Sequence, residues 1–284
     1  MLSRTNLTLF IFLFVNVLLA QQRASISPYP VLNDLKNFQD AESYFFERAD
    51  FVLADQLFEE VYQQLPENQL EEKIYVGLRR AFTLCNLKKA DDALVYLDQL
   101  APLIPKEGKV NELFAADLYT YKAKAYARKG VPREALKWND MAIEIKKKYL
   151  DATDPKMGES YAVYTYVHNY YTMQIQLAGD YLMKEKEVIK AHPDTYPKYE
   201  QVAFHYSISS YYSKRREYLK ASTHGKNAIR VLEPFEELHS NYMANCYALM
   251  GTAHLRMTDP EPAIDYFEKS LEYHIGRKER YSSD

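Results

Sequence analysis

A short pattern that recurs along the chain limits its fold more than any other feature of the sequence. In its clearest copy, residues 247–271, Gly251 is followed twelve positions later by Ala263 and four positions after that by Phe267. Pro260 lies between the two small residues, where a helix is expected to end. Small residues let two helices approach closely, and a large apolar residue fills the groove beside them. This stretch therefore predicts two antiparallel helices.

The small residue of the second helix recurs at nearly constant spacing along the chain. It is found at Ala54, Ala93, Ala135, Ala221 and Ala263. The intervals are 39, 42, 86 and 42 positions, and 86 is twice 43. The regular spacing predicts an array of helix pairs with a further, fourth unit near Leu177 or Ala178.

Three positions depart from the pattern. Asn139 and Gly225 stand where the large apolar residue belongs, and we expect Trp138 to fill the space beside Asn139. In the fourth unit, Gly179 falls within a helical pattern, where glycine costs about 1 kcal/mol relative to alanine. A shifted helix boundary or a kink is therefore expected in the fourth unit.

These residues and their spacing resemble the tetratricopeptide repeat (TPR). The standard repeat has about 34 residues, and a period near 42 adds about one turn to each helix at ~3.6 residues per turn. Repeats of this length are similar to those of kinesin light chains and of bacterial arrays that precede CHAT protease domains or sensor kinases. The resemblance covers residues 39–277. It implies an all-α fold, a right-handed TPR-like helical solenoid of about six helix pairs.

Residues 1–20 have the pattern of a secretory signal peptide. Arg4 precedes an apolar run from Leu7 to Leu19, and cleavage is expected after Ala20. The ending Leu-Leu-Ala-Gln-Gln resembles signal peptides of Bacteroidetes, which implies a periplasmic or secreted protein without membrane insertion after cleavage. An uncleaved N-terminal anchor is the alternative, because Leu18 is a poor residue three positions before the cut.

The rest of the chain divides into two parts. Residues 21–36 carry two Ser and two Pro residues and are expected to form an extended lead-in. Residues 37–284 are expected to form the TPR-like helical repeat array. The two cysteines, Cys85 and Cys246, lie four units apart, so we expect buried free thiols and not a disulfide.

Composition and motifs argue against several classes of function. A formal net charge of -3 provides no electrostatic attraction to nucleic acid. The sequence contains no glycine-rich phosphate loop, no Gly-x-Ser-x-Gly and no His-Glu-x-x-His. Its seven His have no ligand-like spacing. We therefore predict no catalytic residues, no metal site and no cofactor.

In a stacked array the first helices form the concave side, where repeat solenoids bind peptides or partner helices. By repeat register, this surface is predicted to consist of Tyr75, Leu78, Phe82, Asp117, Thr120, Lys124, Tyr206, Ser210 and Ala248. The alternative is that half of these residues serve ordinary packing between helices. A carboxylate clamp of the kind found in chaperone-binding repeats is not expected, because only Arg79 matches its basic and amide positions.

The sequence thus predicts a non-enzymatic, exported interaction scaffold that binds a protein or peptide on its concave face. Two alternatives remain open. In the first, the chain is the ligand-sensing part of a larger signalling or CHAT-protease polypeptide. In the second, it is a glycan-binding helical-repeat protein, which its 26 Tyr would suit.

The C-terminal edge of the array is expected to be uncovered. After Leu271 the sequence has only EYHIGRKERYSSD, which is too short and polar to form a further helix pair. Ile264, Leu271 and Ile275 are therefore predicted to lie open. This edge would bind a partner, associate with a second copy, or continue into a longer polypeptide.

Overall fold

The computed structural model describes residues 27–48, 50–235 and 240–281, and these residues form helices joined by short turns without any strand. The predicted signal peptide and residues 21–26 of the lead-in lie outside the described residues. The helices are α1 (Pro30–Asn33), α2 (Lys36–Ser43), α3 (Phe51–Gln64), α4 (Leu70–Asn86), α5 (Ala90–Leu100), α6 (Lys109–Arg128), α7 (Pro132–Tyr149), α8 (Pro155–Tyr170), α9 (Ile175–Ala191), α10 (Lys198–Lys214), α11 (Tyr218–Leu232), α12 (Ser240–Arg256) and α13 (Pro260–Tyr281).

The fold is the predicted all-α, TPR-like solenoid of six helix pairs, from α2–α3 to α12–α13. Each second helix packs against its own first helix and, up to α11, against the first helix of the following unit. Helix starts follow simple chemistry: Pro132, Pro155 and Pro260 begin helices, where their missing N–H costs nothing. The Asp50 and Asp154 side chains accept hydrogen bonds from the first turns of α3 and α8.

The beginning of the chain differs from the extended lead-in that the sequence predicts. Pro30 starts the one-turn helix α1, and a local π turn, Tyr44–Arg48, continues α2. Asn33 closes the segment, because its side chain bonds both the N–H and the C=O of Ser27 at 2.9 Å. Leu32 is fully buried against the first unit, and this burial explains why the segment folds back onto the array.

The predicted alanine of every second helix is buried in the core. Ala54, Ala93, Ala135 and Ala178 are fully buried, and Ala221 and Ala263 are 1% and 2% exposed. Leu177 is 36% exposed, so the small residue of the fourth unit is Ala178. The predicted repeat is therefore confirmed in all six units.

The shifted helix boundary or kink expected at Gly179 is not observed, because α9 runs without a break from Ile175 to Ala191. Gly179 lies in the second turn of α9, and a Cβ there would lie 2.6 Å from the hydroxyl oxygen of Tyr211. The ring of Tyr211 on α10 thus occupies the volume that a side chain at 179 would need. Gly225 is explained in the same way. A Cβ added there would lie 2.6 Å from Met250 Cγ, so the Met250 side chain supplies the missing apolar volume.

The polar Asn139 lies in the core, where its side-chain N–H has a hydrogen-bond partner. Its side-chain amide donates to the Ser160 carbonyl on the next helix at 2.9 Å, and the residue is fully buried. Trp138 is half-buried and packs against an apolar cluster that includes Val163 and Val167. That Trp138 fills the space beside Asn139 stays a prediction.

The two cysteines are free and buried, as predicted. Burial raises the pKa of Cys85 to about 11 and that of Cys246 to about 12. Both thiols therefore remain protonated at neutral pH and behave as small apolar side chains.

The array curves strongly enough for its fifth unit to meet its first. Helix α10 contacts the π turn that follows α2, and the rings of Phe51 and Tyr199 pack edge to face with centroids 4.8 Å apart. Tyr199 in turn packs against Tyr242 of α12. The concave side is therefore occupied by the chain's own residues.

We expect Gly179→Ala to lower the free energy of unfolding by about 1–2 kcal/mol, because the added methyl group collides with the buried Tyr211 ring. This loss should exceed the gain in helix propensity, and urea unfolding followed by circular dichroism measures it. In a Tyr211→Ala background the same change should become neutral or stabilising. The exposed Met183→Ala in the same helix serves as control, and an equal loss in both backgrounds would contradict the close contact.

Candidate binding site on the inner surface

A cavity of about 240 Å³ lies inside the curve of the array. We call it the inner cavity. Three aromatic residues, Phe46, Tyr75 and Tyr121, form part of its lining together with Leu78. Its ionisable lining residues are Arg79, Asp117, Asp154, Lys156 and Glu159. Thr195 also lines it and is exposed, so this residue marks the side on which the cavity meets solvent.

Arg79 is held in place by contacts from two neighbouring elements. Its Nε lies 3.2 Å from Oε1 of Glu42, a carboxylate that is only 1% exposed, and its Nη2 donates to the Tyr75 hydroxyl at 3.0 Å. The guanidinium also stacks over the Phe46 ring at 4.8 Å. Burial alone would lower the pKa of Arg79, but Glu42 and Tyr75 raise it well above its usual value. Arg79 is therefore a fixed positive charge in the wall.

The lining of the inner cavity holds a second ion pair. Lys156 Nζ donates to Asp117 Oδ2 at 2.5 Å, and the Asp117 side chain is 8% exposed. Burial acts to lower the pKa of Lys156, and Asp117 raises it above its usual value. The pair joins α6 to α8 and leaves the second oxygen of Asp117 directed elsewhere.

Glu159 extends between the inner cavity and a second, smaller cavity of about 60 Å³ on the side of α10, and it lines both. Burial, above all, raises the pKa of Glu159, and Asp117 adds to the rise, whereas Lys146 opposes it. Its Oε2 is buried and receives no hydrogen bond from the described residues. No sequence pattern pointed to Glu159, because the first helix of the fourth unit departs from the repeat consensus.

A buried ion pair spans the smaller cavity. Lys124 on α6 and Glu200 on α10 meet at 2.6 Å, with side chains 15% and 4% exposed. Lys124 Nζ also lies 3.8 Å from the centre of the Phe82 ring. Glu185, beside this pair, is 1% exposed, and burial followed by Glu200 raises its pKa well above the usual value. The carboxylate that pairs with Lys124 is that of Glu200.

The predicted concave residues lie on the inner helices, but they do not form one open groove. Tyr75, Leu78 and Asp117 come together on the inner cavity, and Lys124 lines the smaller one. Phe82, Thr120 and Ser210 are 2%, 1% and 7% exposed and serve packing between helices. Leu78 and Asp117 line the inner cavity but are also buried, at 3% and 5% exposed. Tyr206 and Ala248 are half-buried on α10 and α12. The tight curvature is the physical reason for this burial, and the binding role of these residues stays a prediction.

Lys146 lies in the last turn of α7 with two further lysines, Lys147 and Lys148. Its side chain turns inward, is fully buried, and donates to the Thr120 and Ser160 hydroxyls at 2.9 and 3.0 Å. A third bond reaches the backbone carbonyl of Lys156 at 2.6 Å. Burial lowers the pKa of Lys146. The side chain therefore joins α7, α6 and α8 beneath the cavity.

Three side chains between α11 and α12 have the order of a serine hydrolase triad. Ser222 Oγ lies 3.1 Å from His254 Nε2, and His254 Nδ1 lies 3.1 Å from Asp259 Oδ2. Ser222, however, is 2% exposed and lines neither cavity. A nucleophile must reach its substrate, so we assign these contacts to packing between the two helices.

His205 and His224 face each other with Nδ1 atoms 3.1 Å apart, but within the described ranges no group of three His, Cys, Asp or Glu side chains is placed to hold a metal ion. Burial, followed by His224, lowers the pKa of His205 to about 4. None of the helices in the described part of the chain is long and apolar enough to cross a membrane.

No protein-family model and no curated protein matches the sequence. The fold is similar to the crystal structure of BtubC (BKLC) from P. vanneervenii, with a TM-score of 0.59 and 10% identity over 86% of this chain and 93% of that chain. It is also similar to the kinesin light chain TPR-like repeats from Podosopora anserina, with a TM-score of 0.48 and 14% identity over 73% of this chain and 97% of that one. At such low identity the likeness to BtubC concerns the fold alone.

We expect Lys124→Met to lower the free energy of unfolding by about 3–5 kcal/mol, because it leaves Glu200 buried without its partner. The double variant Lys124→Met/Glu200→Leu should recover most of this loss, and chemical denaturation of the three proteins measures the coupling. Lys190→Met is the control, since Lys190 and Glu187 form an exposed pair with side chains 61% and 58% exposed. Additive losses in the double variant would show that the pair does not join α6 to α10.

Proposed function

We propose that this chain is a non-enzymatic interaction scaffold that binds a peptide or protein partner at the inner cavity of its solenoid. The observation that carries the proposal is the convergence of Tyr75, Leu78 and Asp117 on one cavity with both aromatic and charged walls. Such a mixture of apolar surface and a few fixed polar groups is typical of a binding site. Inner surfaces of helical solenoids are suited to extended segments of a partner.

We further propose that the protein works outside the cytoplasm. This part of the proposal rests on residues 1–20, whose basic start and apolar run have the pattern of a signal peptide. The bait in any binding experiment is therefore the chain from Gln21 onward, and the natural source of partners is the cell envelope or the medium.

We expect Thr195→Trp to abolish capture of the partner, because a large side chain at this exposed position obstructs the inner cavity without disturbing the core. The measurement is quantitative mass spectrometry of proteins that cross-link to the chain from Gln21 onward in an envelope extract. Asp194→Trp is the matched control, since Asp194 is an exposed neighbour in the same turn that does not line the cavity. Both variants should keep the helical circular dichroism of the parent protein.

Two results would contradict this site. One is a partner that Thr195→Trp still captures in full, and the other is equal loss in both variants. Hydrogen exchange of the captured complex provides an independent check, because amides at the start of α8 and in the turn before α10 should gain protection.

A second surface is favoured by the state of the last helix. Ile264, Phe267, Leu271 and Ile275 form a stripe along one face of α13 and are 56%, 38%, 57% and 48% exposed. Ile264, Leu271 and Ile275 are thus exposed, as the sequence predicted, and Phe267 lies exposed beside them. Each earlier second helix packs under the first helix of the next unit, and no described element does so for α13.

We propose that a second copy of the chain covers this stripe. A stripe spaced by three or four residues is self-complementary, so two α13 helices can pack antiparallel around a two-fold axis. This arrangement would remove the apolar surface of both copies from water at once, with a gain of about 25 cal/mol per Å².

We expect sedimentation equilibrium of the chain from Gln21 onward to show a monomer–dimer equilibrium, and Leu271→Glu to shift it to monomer. A buried charge in the stripe is the physical reason. Val95→Glu places the same charge on α5 at a site that is 59% exposed, and it should leave the equilibrium unchanged. A monomer at every concentration would contradict the proposal.

A further inference from the structure

Two carboxylate oxygens of the inner cavity have no donor. Asp117 Oδ1 and Glu159 Oε2 are both buried, and no side chain or amide within residues 27–48, 50–234 and 242–275 donates to them. The other oxygen of Asp117 accepts from Lys156 at 2.5 Å. An unsatisfied buried acceptor costs ~1–3 kcal/mol, and more when it is charged. A ligand that donated N–H groups to these oxygens would remove this cost.

The cations around Glu159 are engaged elsewhere. Arg79 contacts Glu42 and Tyr75, and Lys124 binds Glu200 at 2.6 Å. Lys146 directs its three hydrogen bonds to oxygen atoms of Thr120, Ser160 and Lys156. These neighbours affect Glu159 through space, but none supplies the N–H that its Oε2 lacks.

The balance of charge in the lining favours a cation. Three carboxylates, Asp117, Asp154 and Glu159, face two basic groups, Arg79 and Lys156. Both basic groups already have a carboxylate partner. A bound cation would favour the ionised form of Glu159, whose pKa burial raises, whereas a bound anion would favour its neutral form.

The aromatic wall is suited to the same kind of group. Arg79 stacks over the Phe46 ring at 4.8 Å and over the Tyr75 ring at 5.2 Å, so these rings already hold one guanidinium. Ring faces attract ammonium and guanidinium groups within about 6 Å. A volume of about 240 Å³ exceeds by far the ~10–15 Å³ that one water needs. There is room for the end of a long basic side chain.

We propose that the inner cavity binds an ammonium or guanidinium group, which donates to Asp117 Oδ1 and Glu159 Oε2 against the aromatic wall. The inference rests on the proposed function, because it names the group that a partner places in this cavity. The same chemistry is available from a lysine or arginine side chain of a peptide and from a free small amine, and the test below separates these two sources.

The test is titration calorimetry of the chain from Gln21 onward with n-butylamine, n-butylguanidinium and a capped glycine–lysine–glycine peptide. The neutral controls are n-butanol and the same peptide with norleucine in place of lysine. We expect the basic probes to bind and the neutral ones not to bind. Binding of the lysine peptide alone assigns the site to a peptide side chain, and equal or tighter binding of the free amines assigns it to a small amine.

Glu159→Gln should weaken binding of the basic probes by at least about tenfold, the effect of losing one hydrogen bond to a charged group. The change keeps the size of the side chain and removes a buried charge, so thermal stability should be retained. Thr195→Trp, which obstructs the cavity from its exposed side, should also abolish binding. Glu187→Gln, on the exposed side of α9, should bind as the parent protein does.

Preference for acetate or for a monosaccharide over the amines would overturn the inference. Absence of binding to every probe would also overturn it, while capture that remains sensitive to Thr195→Trp would leave the proposed function in place. If the amines bind but Thr195→Trp does not reduce capture of a partner, the cation site stands and the proposed partner-binding function is contradicted.

Discussion

Close approach of paired helices at one alanine is the contact on which the rest of this structure depends. All six second helices bring such an alanine to the crossing point, and each is at most 2% exposed. A larger side chain there would separate the helices, and overpacking a core typically costs about 1–3 kcal/mol. Because the contact repeats at intervals of 39 to 43 residues, every unit has nearly the same geometry, and the units stack into one continuous solenoid.

The curvature of that stack decides what becomes of the inner surface. It brings α10 to the end of α2, and the Phe51–Tyr199 contact joins the first and fifth units. Charged side chains that would have been solvated on an open groove are then buried, and they are tolerated because most of them are paired, as in Glu42–Arg79, Asp117–Lys156 and Lys124–Glu200. Asp117 and Glu159 each have one buried oxygen that receives no hydrogen bond from the described residues, and both residues line the inner cavity.

Each residue that departs from the repeat pattern is explained by its own contact in the structure. Spacing alone predicted a small residue near Leu177 or Ala178, and burial identifies it as Ala178. Gly179 looked unfavourable because its partner, the Tyr211 ring, lies 32 residues away on the next helix. Asn139 was recognisable as an exception, and only the structure shows its bond to the Ser160 carbonyl. Tyr75, Leu78 and Asp117 were found by repeat register. Glu159 was not, because its register gives no reason to distinguish it from any other helical glutamate.

The sequence by itself determined the all-helical class, the number of helix pairs, the buried alanines and the apolar stripe on α13. These properties follow from residues within one unit or between adjacent units, where spacing along the chain translates directly into spacing on a helix face. Only the tertiary structure decided how far the array curves, which charges pair across it and where its cavities lie. Those properties depend on small rotations between units that add up over the whole solenoid, and on contacts such as Lys124 with Glu200, 76 residues apart, that no local pattern records.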